Sequence, residues 1–259
     1  MLEQENRKWT RDETILAFEL YCTIPSHQVT TQNSQIIQLS NAIERTSNSV
    51  KLKLQNFKSY DPSYTQDGRT GLSHGSKLDA EVVREFLQNW DSLVFEANKI
   101  KEKYDLGTPP QSEESFEENL ITHGYDKQSL QKIRVGQSFF RRTLFSAYGG
   151  KCCITGLPIP ELLRASHIKP WSKSNDINEK TNPHNGLLLN VLHDIAFDRG
   201  YITIGLDNKV IVSDKLSDYT DEFTENALKK YSGGKISLPN KFKPDEQFIE
   251  YHNEMIFLG

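Results

Sequence analysis

The chain is poor in cysteine and in long apolar runs, and each shortage excludes something. Three cysteines in 259 residues, two of them the neighbours Cys152 and Cys153, cannot make a disulfide framework. They also lack the paired Cys-x-x-Cys spacing of a structural zinc, so no structural zinc is expected. No apolar stretch approaches the roughly 18 residues of a membrane helix, and the polar opening from Met1 to Arg11 has no signal-peptide pattern. The expectation is a cytoplasmic protein with no membrane partner. No internal repeat is visible at periods of about 20 to 50 residues, which argues against a solenoid.

What the chain does have is length enough for two cores. The dividing signal is Asp105 to Glu118, which carries Gly107, Pro109, Pro110, Ser112, Ser115 and a run of glutamates, and can bury little surface. The expected organisation is a helical domain over 1–104, an acidic linker over 105–131 and a second domain over 132–259. In the first part, Thr10 and Glu13 read as a capping box ahead of Ile15, Leu16, Phe18, Leu20 and Tyr21. Gln35 to Glu44 and Ser49 to Phe57 have helical apolar spacing around a turn at 45–48, a helix-turn-helix-like pattern. Its second helix offers Lys51, Lys53 and Asn56 to phosphates and base edges. One further helix is expected from about Asp79 to Phe95, after a glycine-bearing loop at Gly68, Gly71 and Gly75. A dimerisation domain with solvating lysines remains the alternative for this part.

The net charge of −4 argues weakly against a nucleic-acid partner, but it is unevenly spread. From Lys132 to Lys173 there are eight basic residues against Glu161 alone. That excess suits a phosphate-binding face, with Arg141, Arg142, Arg164 and Lys169 as its candidates. A helix is expected over 137–148, and a hairpin over Tyr201-Ile202-Thr203-Ile204 and Val210-Ile211-Val212 around Asp207-Asn208.

The chemistry concentrates in one stretch, Ser166-His167-Ile168-Lys169-Pro170-Trp171, then Asn185-Gly186-Leu187, then His193-Asp194-Ile195-Ala196-Phe197-Asp198-Arg199-Gly200. A histidine can serve as a base near neutral pH. Asp194 and Asp198 lie four apart and share a face if the segment is helical. One base beside two carboxylates is a layout for metal-assisted phosphodiester hydrolysis. Taken singly, each residue has a bland reading: a surface histidine, a solvated helix face, an arginine pairing at a helix end.

These strings, with Cys153-Ile154-Thr155-Gly156 upstream and Glu250-Tyr251-His252-Asn253-Glu254 in the tail, resemble the HNH endonucleases of the McrA-like, restriction-type branch. The resemblance covers roughly the C-terminal half and implies an α+β chain: a helical N-terminal domain followed by a ββα-metal nuclease domain. It implies His167 as general base, Asn185 as the residue that orients it through the loop backbone, and Asp194 or the adjacent His193 as metal ligand. A further ligand falls on Asp198, and Arg199 is placed to hold phosphate. The chain departs from the family at Ser166, where an acidic or histidine ligand often stands. Mg²⁺ is the expected cofactor, with Mn²⁺, Ni²⁺ or Zn²⁺ favoured if His193 is a ligand.

The implied function is metal-dependent cleavage of double-stranded DNA in restriction or phage defence, with the N-terminal domain selecting the target. A homodimer is expected because cutting both strands ordinarily takes two sites. The alternatives are a DNA-binding or assembly protein with an inactive HNH fold, and a general nuclease toxin without sequence preference. His27, His74, His123 and His184 read as surface or loop residues, and His252 as packing.

Overall fold

The computed structural model describes residues 7–65, 75–107, 127–174 and 177–259, all but the side chains of 63, 127–130 and 177. The linker expected over 105–131 and the loop around Gly68 and Gly71 lie largely outside those residues, as do His74 and His123. Chain contacts divide the molecule into Met1–Thr143 and Leu144–Gly259. All strands among the described residues belong to the second unit. No helix among them is long and apolar enough to cross a membrane.

The first unit is helical: α1 (Arg11–Thr23), α2 (Ser34–Ala42), α3 (Ser47–Phe57), the short α4 (Pro62–Thr65), α5 (Lys77–Leu87) and α6 (Trp90–Lys103), with the first part of α7 (Lys127–Ala147). The Thr10–Glu13 capping box starts α1 as the sequence predicts. From Glu13 to Thr23 every residue of α1 is buried, against α3, α5 and α6. Two buried carboxylates on α1 are therefore costly unless paired. Glu13 takes Arg45 at 2.8 Å and Arg7 at 2.6 Å, and Glu19 takes both Lys101 and Arg142 at 2.9 Å.

The single helix expected over 79–95 is instead two. Asn89 accepts from the Ser92 backbone N–H at 3.3 Å and caps α6 afresh, while Ser76 and Asp79 form the capping box of α5. An asparagine inside an otherwise helical pattern gave too weak a stop signal to read in advance.

The second unit opens with the end of α7 and Gly149 and Gly150, both in the left-handed region. Strands β1 (Leu163–His167) and β2 (Gly186–Asn190) pair antiparallel, with Ser166 opposite Leu187 and His167 opposite Gly186. Between them lie residues 168–185, which include the short α8 (Ile177–Thr181). Helix α9 (Val191–Asp198) follows β2 directly, because Asn190 ends the strand and caps the helix through the His193 N–H at 2.9 Å. α9 then packs on β1, β2 and on β3 (Ile202–Ile204), which forms the expected hairpin with β4 (Val210–Val212).

Gly200 closes α9 at φ +74°, where a Cβ would sit 2.2 Å from the Ile256 carbonyl oxygen. Only glycine fits there. After α10 (Glu222–Ala227), α11 (Glu246–Met255) lies against β3. His252 stacks on Phe197 at 3.7 Å, contacts the Thr203 hydroxyl at 2.8 Å and donates from Nε2 to the Phe197 carbonyl at 3.1 Å. The tail histidine is thus packed into the core beneath α9.

Candidate functional site

His167 ends β1, and its half-buried imidazole packs edge-on to Trp171 at 5.6 Å. Nε2 lies 2.9 Å from the backbone carbonyl oxygen of Lys180. A carbonyl only accepts, so the ring proton sits on Nε2 and the lone pair on Nδ1. Loss of solvent lowers the pKa of the ring to about 4, outweighing the Lys180 carbonyl, which favours the charged form. At neutral pH the ring is therefore uncharged.

Asn185 is wholly buried and ties the β1–β2 crossover together. Its Oδ1 accepts from the Lys169 N–H at 2.7 Å, and its Nδ2 donates to the carbonyls of Lys169 and Glu179, each at 3.1 Å. Its own carbonyl accepts from Ile168 at 3.1 Å. The amide thus fixes residues on both sides of the crossover, including the one just before Lys180. Lys169 is itself paired with Glu179 at 2.8 Å and lies over the Tyr251 ring.

Asp194 and Asp198 stand one turn apart on α9. Desolvation raises Asp194, against the opposing pull of the Ser166 hydroxyl and Arg164. Desolvation and then the charge of Asp194 push Asp198 up to about 6, with Arg199 working the other way. The buried Ser166 Oγ lies near enough to Asp194 to lower it, yet outside regular hydrogen-bond geometry with any partner. A buried hydroxyl near Asp194, with the exposed Asp198 carboxylate one turn on, is an arrangement that a hydrated hard cation would satisfy. Among the described residues no group of three or more His, Cys, Asp or Glu side chains could hold a metal ion, so any shell here is sparse.

His193 turns the other way. Nε2 lies 2.7 Å from the Ala227 carbonyl oxygen, so it donates there, and Nδ1 accepts from the Asn190 amide at 3.2 Å. The ring is buried against Tyr231 and also contacts Cys152. Burial raises the Cys152 thiol, but His193 and Thr155 outweigh it and bring it to about 7.

The residues expected to meet DNA are scattered in their fates. Arg164 and exposed Arg199 lie close enough to Asp194 and Asp198 respectively to act on their carboxyls. Arg141 is half-buried, and Arg142 is held by Glu19 in the first unit. Lys51 and Asn56 are half-exposed on α3. Lys53 corrects the sequence expectation: it is buried, paired with Asp79 and set 4.5 Å over the Trp9 ring, so its ammonium is not presented to solvent.

The Lys180 carbonyl and the orphan Ser166 hydroxyl were not among the sequence candidates. Nothing in a sequence marks which backbone carbonyl a ring will meet.

No curated protein matches the chain. Residues 152–205 match the family model described as HNH endonuclease, a span that holds His167, Asn185, Asp194 and Asp198. The chain therefore carries an HNH endonuclease domain at residues 152–205.

Proposed function

We propose that the chain is a metal-dependent DNA endonuclease of the restriction-type, McrA-like branch, acting in the cytoplasm in restriction or phage defence. The carrying observation is the neutral His167 ring, its proton held by the Lys180 carbonyl, on the strand beside the carboxylate-bearing helix α9. His167 accepts the proton of the attacking water at Nδ1. Asn185 positions it by fixing the crossover that carries the carbonyl.

Asp194 and Asp198 would hold the cation, with Ser166 Oγ on a bound water, and His193 is assigned to packing because both of its ring nitrogens are engaged. Oxygen-only donors favour Mg²⁺ or Mn²⁺ over Ni²⁺ or Zn²⁺. Bound there, the cation would offset charge on the scissile phosphate. Arg164 and Arg199 add positive charge for the DNA backbone.

We assign residues 132–259 to cleavage and 1–104 to target selection, with a homodimer placing one site on each strand. The test is plasmid incubated with the protein and Mg²⁺, Mn²⁺ or Ni²⁺, beside His167→Ala. Nicking that survives the substitution overturns the mechanism. A non-cleaving DNA-binding protein is the second reading, favoured by the sparse shell at Ser166. It stands if no metal supports cleavage of either methylated or unmodified plasmid.

A further inference from the structure

The turn between α2 and α3 is built to hold α3 rigidly. The Arg45 N–H closes on the Ser40 carbonyl at 2.9 Å, and Glu44 takes a left-handed φ of 51° at the position that often carries glycine in such turns. The Ser40 and Ser47 hydroxyls meet across the turn at 3.1 Å. The Arg45 guanidinium is buried on Glu13 and donates to the carbonyls of Arg7 and Lys8. The turn is thereby pinned to the start of α1.

One face of α3 is spent on this packing: Val50, Lys53, Leu54 and Phe57 are buried. The other carries Asn48, Leu52 and Gln55 at helical spacing, and Leu52 is 43 % exposed between polar neighbours. Lys51 and Lys58, seven residues apart, line one edge of that stripe, with the Lys58 ammonium 5.7 Å over the Tyr64 ring, and α3 itself has no carboxylate. Glu44 stands in the turn before it.

We propose that α3 is a base-reading helix whose Asn48, Leu52 and Gln55 enter the major groove of duplex DNA. Lys51 and Lys58 lie against phosphates along one edge of that face. Side-chain amides pair bidentately with adenine N6 and N7, and an aliphatic side chain packs on the thymine methyl. The site read is therefore one containing A·T pairs. This deepens the target-selecting role proposed for residues 1–104, but it requires no catalysis.

The test binds the full chain to a randomised duplex pool in EDTA and sequences the retained DNA. The expected result is enrichment of a short A·T-containing site, bound about tenfold or more tighter than its scrambled version. Leu52→Ala and Gln55→Ala should abolish that preference while salt-sensitive general binding persists. Lys51→Ala should weaken all sequences alike and reduce the salt dependence. Leu52 is exposed and Lys51 and Gln55 are half-exposed, and an unchanged circular dichroism melt confirms the fold.

Retention of the same selected sequence by Leu52→Ala and Gln55→Ala overturns the proposal. So does an unselective pool, or an α3 variant that dissociates a dimer without altering DNA binding. His167→Ala separates the two claims: if it keeps the site preference while no metal gives cleavage by the native chain, the helix assignment stands and the nuclease reading fails. Cleavage without site preference has the opposite meaning.

Discussion

His167 Nε2 and the carbonyl oxygen of Lys180 lie 2.9 Å apart across thirteen residues of chain, and that contact sets which ring nitrogen of the proposed base carries the proton. The carbonyl orients the ring, but the shift of its pKa to about 4 comes first from desolvation. Asn185 donates to the carbonyl of Glu179, the residue before Lys180, at 3.1 Å.

Asn185→Ala is expected to lower cleavage at least tenfold and to destabilise the second unit by about 2–4 kcal/mol, because it leaves several buried backbone groups unpaired. Plasmid nicking and thermal unfolding read the two effects. Full activity with a lower melting temperature would show that the crossover does not position the base.

The two units should respond to acid in different windows. His252 and His167 are held near pKa 4 in the fold against 6.5 in the unfolded chain, so the unfolded state binds more protons between those values. Stability of the second unit is present above pH 6.5 and is lost as pH falls towards 4, by about 3 kcal/mol for buried His252. Glu19 in the first unit lies at about 2 against 4.5: burial raises it, and Lys101 and Arg142 outweigh burial. Its contribution is intact above pH 4.5 and is lost only from there down to 2. Hydrogen exchange at pH 5 should find amides in 144–259 less protected while those in 7–65 hold.

Asp198→Asn should separate metal binding from stability. Removing one of two repelling carboxylates stabilises the metal-free chain slightly, about 0.5 kcal/mol after solvent screening, and removes the melting-temperature rise produced by Mn²⁺. A variant that keeps that rise would exclude Asp198 as a ligand.

Gly200→Ala places a methyl against the Ile256 carbonyl at a left-handed φ. The expected loss exceeds about 3 kcal/mol, larger than the strain of a positive φ alone. Thermal unfolding measures it, and a shift below about 2 °C would mean that the C-terminal segment moves aside.

Lys53→Ala should behave as a core lesion, costing about 3–5 kcal/mol by leaving Asp79 buried and unpaired. Lys51→Ala should leave stability unchanged. Equal melting temperatures for the two variants would contradict the burial of Lys53.

The sequence by itself determined the HNH domain over 152–205 and much of the local structure of this protein. The Thr10–Glu13 box, the turn between α2 and α3, and the hairpin around Asp207-Asn208 were legible because they rest on short-range spacing and capping. Residue type and order single out His167, Asn185, Asp194 and Asp198 as candidates, and all four fall within the matched span 152–205. Only the tertiary structure decided where those groups point. Lys53 and Lys51 are the same residue type two positions apart on one helix, yet one is buried under Trp9 and the other is half-exposed. His193 and Asp194 are neighbours, and a helix turns successive side chains about 100° apart, so one enters the core while the other meets the Ser166 hydroxyl. Side-chain direction and the identity of a facing carbonyl depend on contacts between distant segments, which spacing along the chain does not encode.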